Sequence, residues 1–256
     1  MERDELLRIL DNVNDFKAKF KLVEKKAIGD ISEILSEDFI ILKFPNKMKV
    51  SGTTFNKEDT NITYKCIYIN NAEPVGRQNF TLAHELYHIY YEESDIGLCT
   101  NDLRDKNEIE IRAEKFASNL LIPKPDLLLN LKRMGMNQNK EITIGCVFQL
   151  QQIYHVSFQA IVYAIEQICE HEYLSEFFNF IPKIPAYLKK YYHPPYWQEL
   201  EEMSLSYDIN FKLNSPSPEY VIPESFKNDM INNYRNGLVD YEEIEDVFKF
   251  FEVTNY

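Results

Sequence analysis

The chain has 256 residues, is 45% hydrophobic and 14% aromatic, and carries a formal net charge of −13. That length and apolar content support a buried core and exclude global disorder, while the charge opposes binding through a nucleic-acid backbone. Seven glycines against seventeen tyrosines and seventeen phenylalanines point to a helix-rich fold with few tight turns.

Residues 4–26 place Leu6, Leu7, Leu10, Val13, Phe16 and Phe20 at helical spacing, and Gly29 ends the pattern. A short helix is expected over 31–35. Three strands are expected next: Phe39-Ile40-Ile41-Leu42-Lys43-Phe44, then 47–55, then 63–70, closed by the turn Asn70-Asn71-Ala72-Glu73-Pro74. A strong helix follows over about 78–93, then a polar loop over 94–106, long enough to serve a site. The next helix, about 107–122, has the apolar stripe Ile109, Ala113, Phe116, Ala117 and Leu120 and stops at Pro123. Residues 125–133 read as helical, and two helices over 143–153 and 157–170 flank Tyr154-His155-Val156-Ser157, with Ser157 placed to cap the second. Beyond about 173, seven of the eleven prolines gather and a looser region is expected. It ends in two helices around Asn236-Gly237. The reading is an α+β fold in three parts: a helical segment 1–38, a core 39–173 and a proline-rich, mainly helical region 174–256.

The cysteines Cys66, Cys99, Cys146 and Cys169 form no C-x-x-C pair and read as free thiols of a reducing compartment. Met1-Glu2-Arg3-Asp4-Glu5 has no apolar stretch to act as an export signal, and no run is long enough to span a membrane. A cytoplasmic location is expected.

The chemistry concentrates in His84-Glu85-Leu86-Tyr87-His88. On a helix, residues four apart share a face, so His84 and His88 are placed to hold one metal ion, and zinc suits such ligands. Glu85 beside them is the candidate general base. Leu82, Leu86, Ile89 and Tyr90 supply the buried stripe this helix needs. A catalytic zinc takes a third protein ligand and keeps one open position. Glu110 and Glu114, four apart on the next helix, offer a ligand and a carboxylate to orient a histidine. A solvated acidic face is the competing reading of that pair. His155 and Tyr87 are weaker candidates for stabilising a transition state. His171 and His193 carry no spacing signal. The helix pair at 143–170 is nearly free of Lys and Arg, so direct DNA binding is not expected.

The run Arg77-Gln78-Asn79-Phe80-Thr81-Leu82-Ala83-His84-Glu85-Leu86-Tyr87-His88 resembles the R-x-x-F-T-L-A-H-E-L-x-H signature of the ImmA/IrrE metallopeptidases. The run from Glu110 to Pro123 resembles that family's second signature, E-x-x-A-N-x-F-A-x-x-L-L-x-P. Residues 148–165 are similar to the family's following helix pair, and 223–251 to a C-terminal helical segment. The resemblance implies a thermolysin-like zincin core, one zinc ion and Glu110 as third ligand. It also implies a protein substrate, a helix-turn-helix transcriptional repressor, in the setting of mobile elements or stress responses. Two residues depart from the pattern. Tyr87 stands where glycine is commoner, and is expected either to crowd the site or to lend it a hydroxyl. Glu114 stands where Asn or Asp is usual, which leaves Glu110 and Glu114 both open as ligand. Tyr87 and the long C-terminal region also motivate an alternative, a non-enzymatic zinc-fold antirepressor.

Overall fold

A computed structural model describes residues 3–35, 39–47, 50–59, 62–92, 96–100, 108–136, 139–170, 184–192, 196–209 and 212–253. The elements run α1 (Arg3–Lys19), α2 (Ile31–Leu35), β1 (Ile40–Phe44), β2 (Val50–Asp59), β3 (Ile62–Asn70), α3 (Val75–Tyr91), β4 (Ile96–Thr100), α4 (Glu108–Leu121), α5 (Lys124–Arg133), α6 (Ile144–Tyr154), α7 (Phe158–Glu170), α8 (Trp197–Leu205), α9 (Glu224–Arg235) and α10 (Tyr241–Phe250). A 3₁₀ helix, Ala186–Tyr192, precedes α8.

The three expected strands form a mixed sheet, and a fourth extends it, in the order β1-β3-β2-β4. β1 runs parallel to β3, with Ile40 opposite Cys66, while β2 is antiparallel to both β3 and β4. β4 falls within the segment expected to be a polar loop; the remainder of that loop lies outside the described residues, as do His171 and His193. The strand owes its state to pairing with β2, a long-range partner that a five-residue segment does not announce.

α3 packs on this sheet and on α4. Its buried positions include Leu82, Ala83, Leu86 and Tyr87, and α4 answers with Ala113, Phe116, Ala117 and Leu120. The two alanines let the helix axes approach closely. α1 covers the outer side through Ile9, Val13 and Phe16, whose ring meets Phe116 edge-on at 5.9 Å. Each such side chain contributes roughly 1.5–3 kcal/mol when fully buried. α1 ends earlier than expected, at Lys19, because Lys21 turns left-handed (φ 53°) and the Leu22 N–H returns to the Lys17 carbonyl.

Gly76 sets the start of α3. A Cβ there would lie 2.5 Å from the Ser157 nitrogen in the α6–α7 turn. Only glycine lets the two backbones touch. Ser157 caps α7 as expected, its hydroxyl accepting from the Ala160 N–H at 3.2 Å, and Gly237 takes the left-handed conformation after α9 (φ 68°).

The proline-rich stretch is tied down more firmly than its composition suggests. Leu188, Tyr191, Leu200 and Ile209 join the same core as α3 and α4. The Val75 and Gly76 N–H groups donate to the carbonyls of Ser215 and Leu213, and Val221 pairs with Lys43 at the edge of β1. By contrast α9 has no buried residue. Cys66 and Cys146 are free thiols. No helix among the described residues is long and apolar enough to cross a membrane.

Candidate metal centre

α3 presents His84 and His88 one turn apart, and their Nε2 atoms lie 3.1 Å from each other. Glu110, in the first turn of α4, reaches over from the neighbouring helix. Its Oε2 is 3.2 Å from His84 Nε2 and its Oε1 is 3.7 Å from His88 Nε2. These three side chains form a group able to hold a metal ion.

The donor set fits zinc. Tetrahedral zinc with bonds of about 2.0–2.2 Å sets its ligand atoms about 3.3 Å apart, close to the 3.1 Å between the histidine nitrogens and the 3.2 Å from His84 to Glu110 Oε2. Two imidazoles and one carboxylate also match the chemistry of catalytic zinc, which keeps a fourth position open. A structural site closed by four Cys or His ligands is a poor description, since among the described residues the group is two histidines and a glutamate.

The helices hold these atoms in register through the core they share, where Tyr87 packs on Phe116, and by ties outside the site. Arg112 in α4 bonds Glu5 of α1 at 2.7 Å and Glu108 at 3.2 Å. The Tyr91 hydroxyl donates to the Asn12 carbonyl at 2.7 Å. α1 therefore clamps both site helices from outside, which fixes the reach of Glu110 toward His84.

Glu85 is completely buried. Its pocket is made by Gly52 of β2: a Cβ at that position would sit 3.0 Å from Glu85 Oε1 and 2.6 Å from Thr81 Cγ2. The missing side chain lets the strand press against α3 and gives the Glu85 carboxylate its space.

Glu114, one turn beyond Glu110, is half-buried and does not belong to the three-residue group. Tyr87 sets its ring edge-on to that of His88, with 6.2 Å between centroids. It packs between α3 and α4, with its ring centroid 5.7 Å from Phe116 and 5.8 Å from Tyr91. Burial pushes its phenol pKa up, against the positive charge of Arg112. His155 is the left-handed C-cap of α6 (φ 52°). Its carbonyl accepts from Asn79 Nδ2 at 2.8 Å. Asn79 lies about 140° around α3 from His84 at 3.6 residues per turn, so this contact docks the α6–α7 turn on a different face of the helix.

Sequence reading passed over one residue. Glu92, the C-cap of α3, places its Oε2 against Nδ1 of His88. The four-residue spacing from His88 was the available signal.

A protein-family model described as Peptidase_M78, IrrE N-terminal-like domain, matches residues 36–166, just over half of the chain. The match runs from the segment before β1 into α7 and includes His84, Glu85, His88 and Glu110. No curated protein matches the chain significantly.

Proposed function

Because the chain belongs to the M78 peptidases, the ImmA/IrrE metallopeptidase family, we propose that it is a zinc-dependent endopeptidase that cleaves a cytoplasmic regulatory protein, a helix-turn-helix transcriptional repressor. The observation that carries the catalytic part is the convergence of His84, His88 and Glu110, with the buried Glu85 next to His84 in the chain. The substrate class rests on the family resemblance of the two signatures. The setting it suggests is transcriptional regulation, including that of mobile elements.

Bound zinc would supply Lewis-acid polarisation of a peptide carbonyl and make hydroxide available near neutral pH. The chain's own part is proton transfer. The Glu85 carboxylate takes a proton from the attacking water as the new C–O bond forms. It returns that proton to the amide nitrogen as the C–N bond breaks, so the amine leaves neutral. Burial serves this role, since water does not compete for the carboxylate. The site helices are fixed before substrate arrives, so little reorganisation accompanies the step.

The alternative is a non-enzymatic zinc-fold antirepressor, motivated by Tyr87 and the long C-terminal region; in it Glu85→Gln would preserve the biological activity.

The test is cleavage of the small helix-turn-helix repressor encoded beside the gene. Zinc-loaded wild type should cut it at one bond, and Glu85→Gln should retain zinc while losing about 10²–10⁴ in rate. Equal cleavage by Glu85→Gln, or an intact repressor with wild type, would contradict the proposal.

A further inference from the structure

We infer that Glu92 is a positioning residue for the metal ligand His88, a role that rests on the metallopeptidase reading of the site. An imidazole ligates a metal only when its lone pair faces the ion, which requires one ring orientation and one tautomer. His88 directs Nε2 into the group with His84 and Glu110. Its Nδ1 points the other way, onto Glu92 Oε2. With Nδ1 donating to Glu92, the lone pair falls on Nε2, on the side of His84 and Glu110.

The surroundings make this contact matter. His88 is only 3% exposed, so solvent is a poor substitute for Glu92. The rings of His84 and Tyr87 flank it at 5.0 and 6.2 Å, which leaves the ring plane guided by packing and its polar edge guided by Glu92. Glu92 itself has left the helix (φ −121°, ψ 138°), and its side chain reaches back one turn. It occupies the junction between α3 and the chain leading to β4, a place where a carboxylate is added without disturbing helical packing.

The experiment compares zinc affinity, by competition with a chromophoric chelator, for wild type, Glu92→Ala and Glu92→Gln, together with the melting temperature of each zinc-free protein. Glu92→Ala should bind zinc about 10–100-fold more weakly, with zinc-free stability unchanged. Glu92→Gln should recover most of the affinity, because its amide oxygen still accepts from Nδ1–H. The cobalt-substituted alanine variant should show an altered visible spectrum. Wild-type affinity in Glu92→Ala would overturn the assignment while leaving the metal site standing. So would a loss shared by both variants and matched by a fall in zinc-free stability. A wild type that binds no zinc would overturn the assignment and the metallopeptidase reading together.

Discussion

Two groups of ionisable side chains among the described residues, at Asp126 and at His84, are built in opposite ways. Asp126 of α5 is ringed by donors. Its carboxylate accepts from the Tyr154 hydroxyl at 3.2 Å, Asn130 Nδ2 at 3.3 Å, the Ala27 N–H at 3.3 Å and Lys26 Nζ at 3.1 Å. Charge and hydrogen bonds close on themselves, and the cluster pins the 20–30 segment to α5 and α6. The cluster at His84, His88 and Glu110 gathers lone pairs instead. Two ring nitrogens and a carboxylate meet there at 3.1–3.7 Å. The first arrangement is a structural tie, and the second is the donor set of a zinc site.

The contrast breaks first at Asp126. Asp126→Ala strips several buried donors of their acceptor and should cost about 3–5 kcal/mol of stability, read by denaturant unfolding. Zinc affinity of the folded fraction should not change; a parallel loss of zinc would mean the two clusters are not separate. Gly52→Val comes next. Its side chain meets Thr81, the Glu85 carboxylate and the Tyr68 carbonyl, so overpacking should cost about 1–3 kcal/mol. Peptidase activity should fall further than zinc affinity, since Glu85 is displaced and the ligands are not. Full activity would remove Gly52 from the explanation of how Glu85 is placed.

Glu110→Gln sharpens the comparison. The amide replaces a charged ligand with a neutral one, so zinc affinity should drop while the zinc-free variant stays as stable as zinc-free wild type. A destabilised zinc-free variant would mean that Glu110 also holds the fold. The smallest effect lies with Lys17, whose Nζ donates to the Lys26 carbonyl beside the Asp126 cluster. Burial pushes its ammonium pKa down from 10.5 to about 8, against the attraction of Asp126 and Glu24. Between those pH values the unfolded chain holds the extra proton, so stability rises with pH through that window. Wild type should gain on Lys17→Met there, and parallel pH profiles would deny it.

Much of the site could be read from the sequence, because helical spacing is geometry. His84 and His88 share a face wherever their helix forms, and Glu110 meets them once α4 buries Ala113, Phe116 and Ala117. What stayed hidden was decided by contacts across the fold. Glu92 is one glutamate in an acidic chain, and only the turn of the His88 ring selects it. Gly52 reads as a weak point in a strand until α3 is laid against it. β4 is strand only through β2, and the proline-rich 213–221 stretch is ordered by carbonyls that meet the start of α3. Tyr87 looked like an intruder among the ligands because one-dimensional adjacency put it there. The helix turns its ring about 100° away from His88 per residue step, into the aromatic contact with Phe116.

The most direct measurement is anomalous diffraction at the zinc edge from crystals of the zinc-loaded protein. One peak is predicted, about 2.0–2.2 Å from Nε2 of His84, Nε2 of His88 and a carboxylate oxygen of Glu110. A peak ligated by Glu114 in place of Glu110, or none between the two histidines, would contradict the assignment of this cluster as the catalytic metal centre.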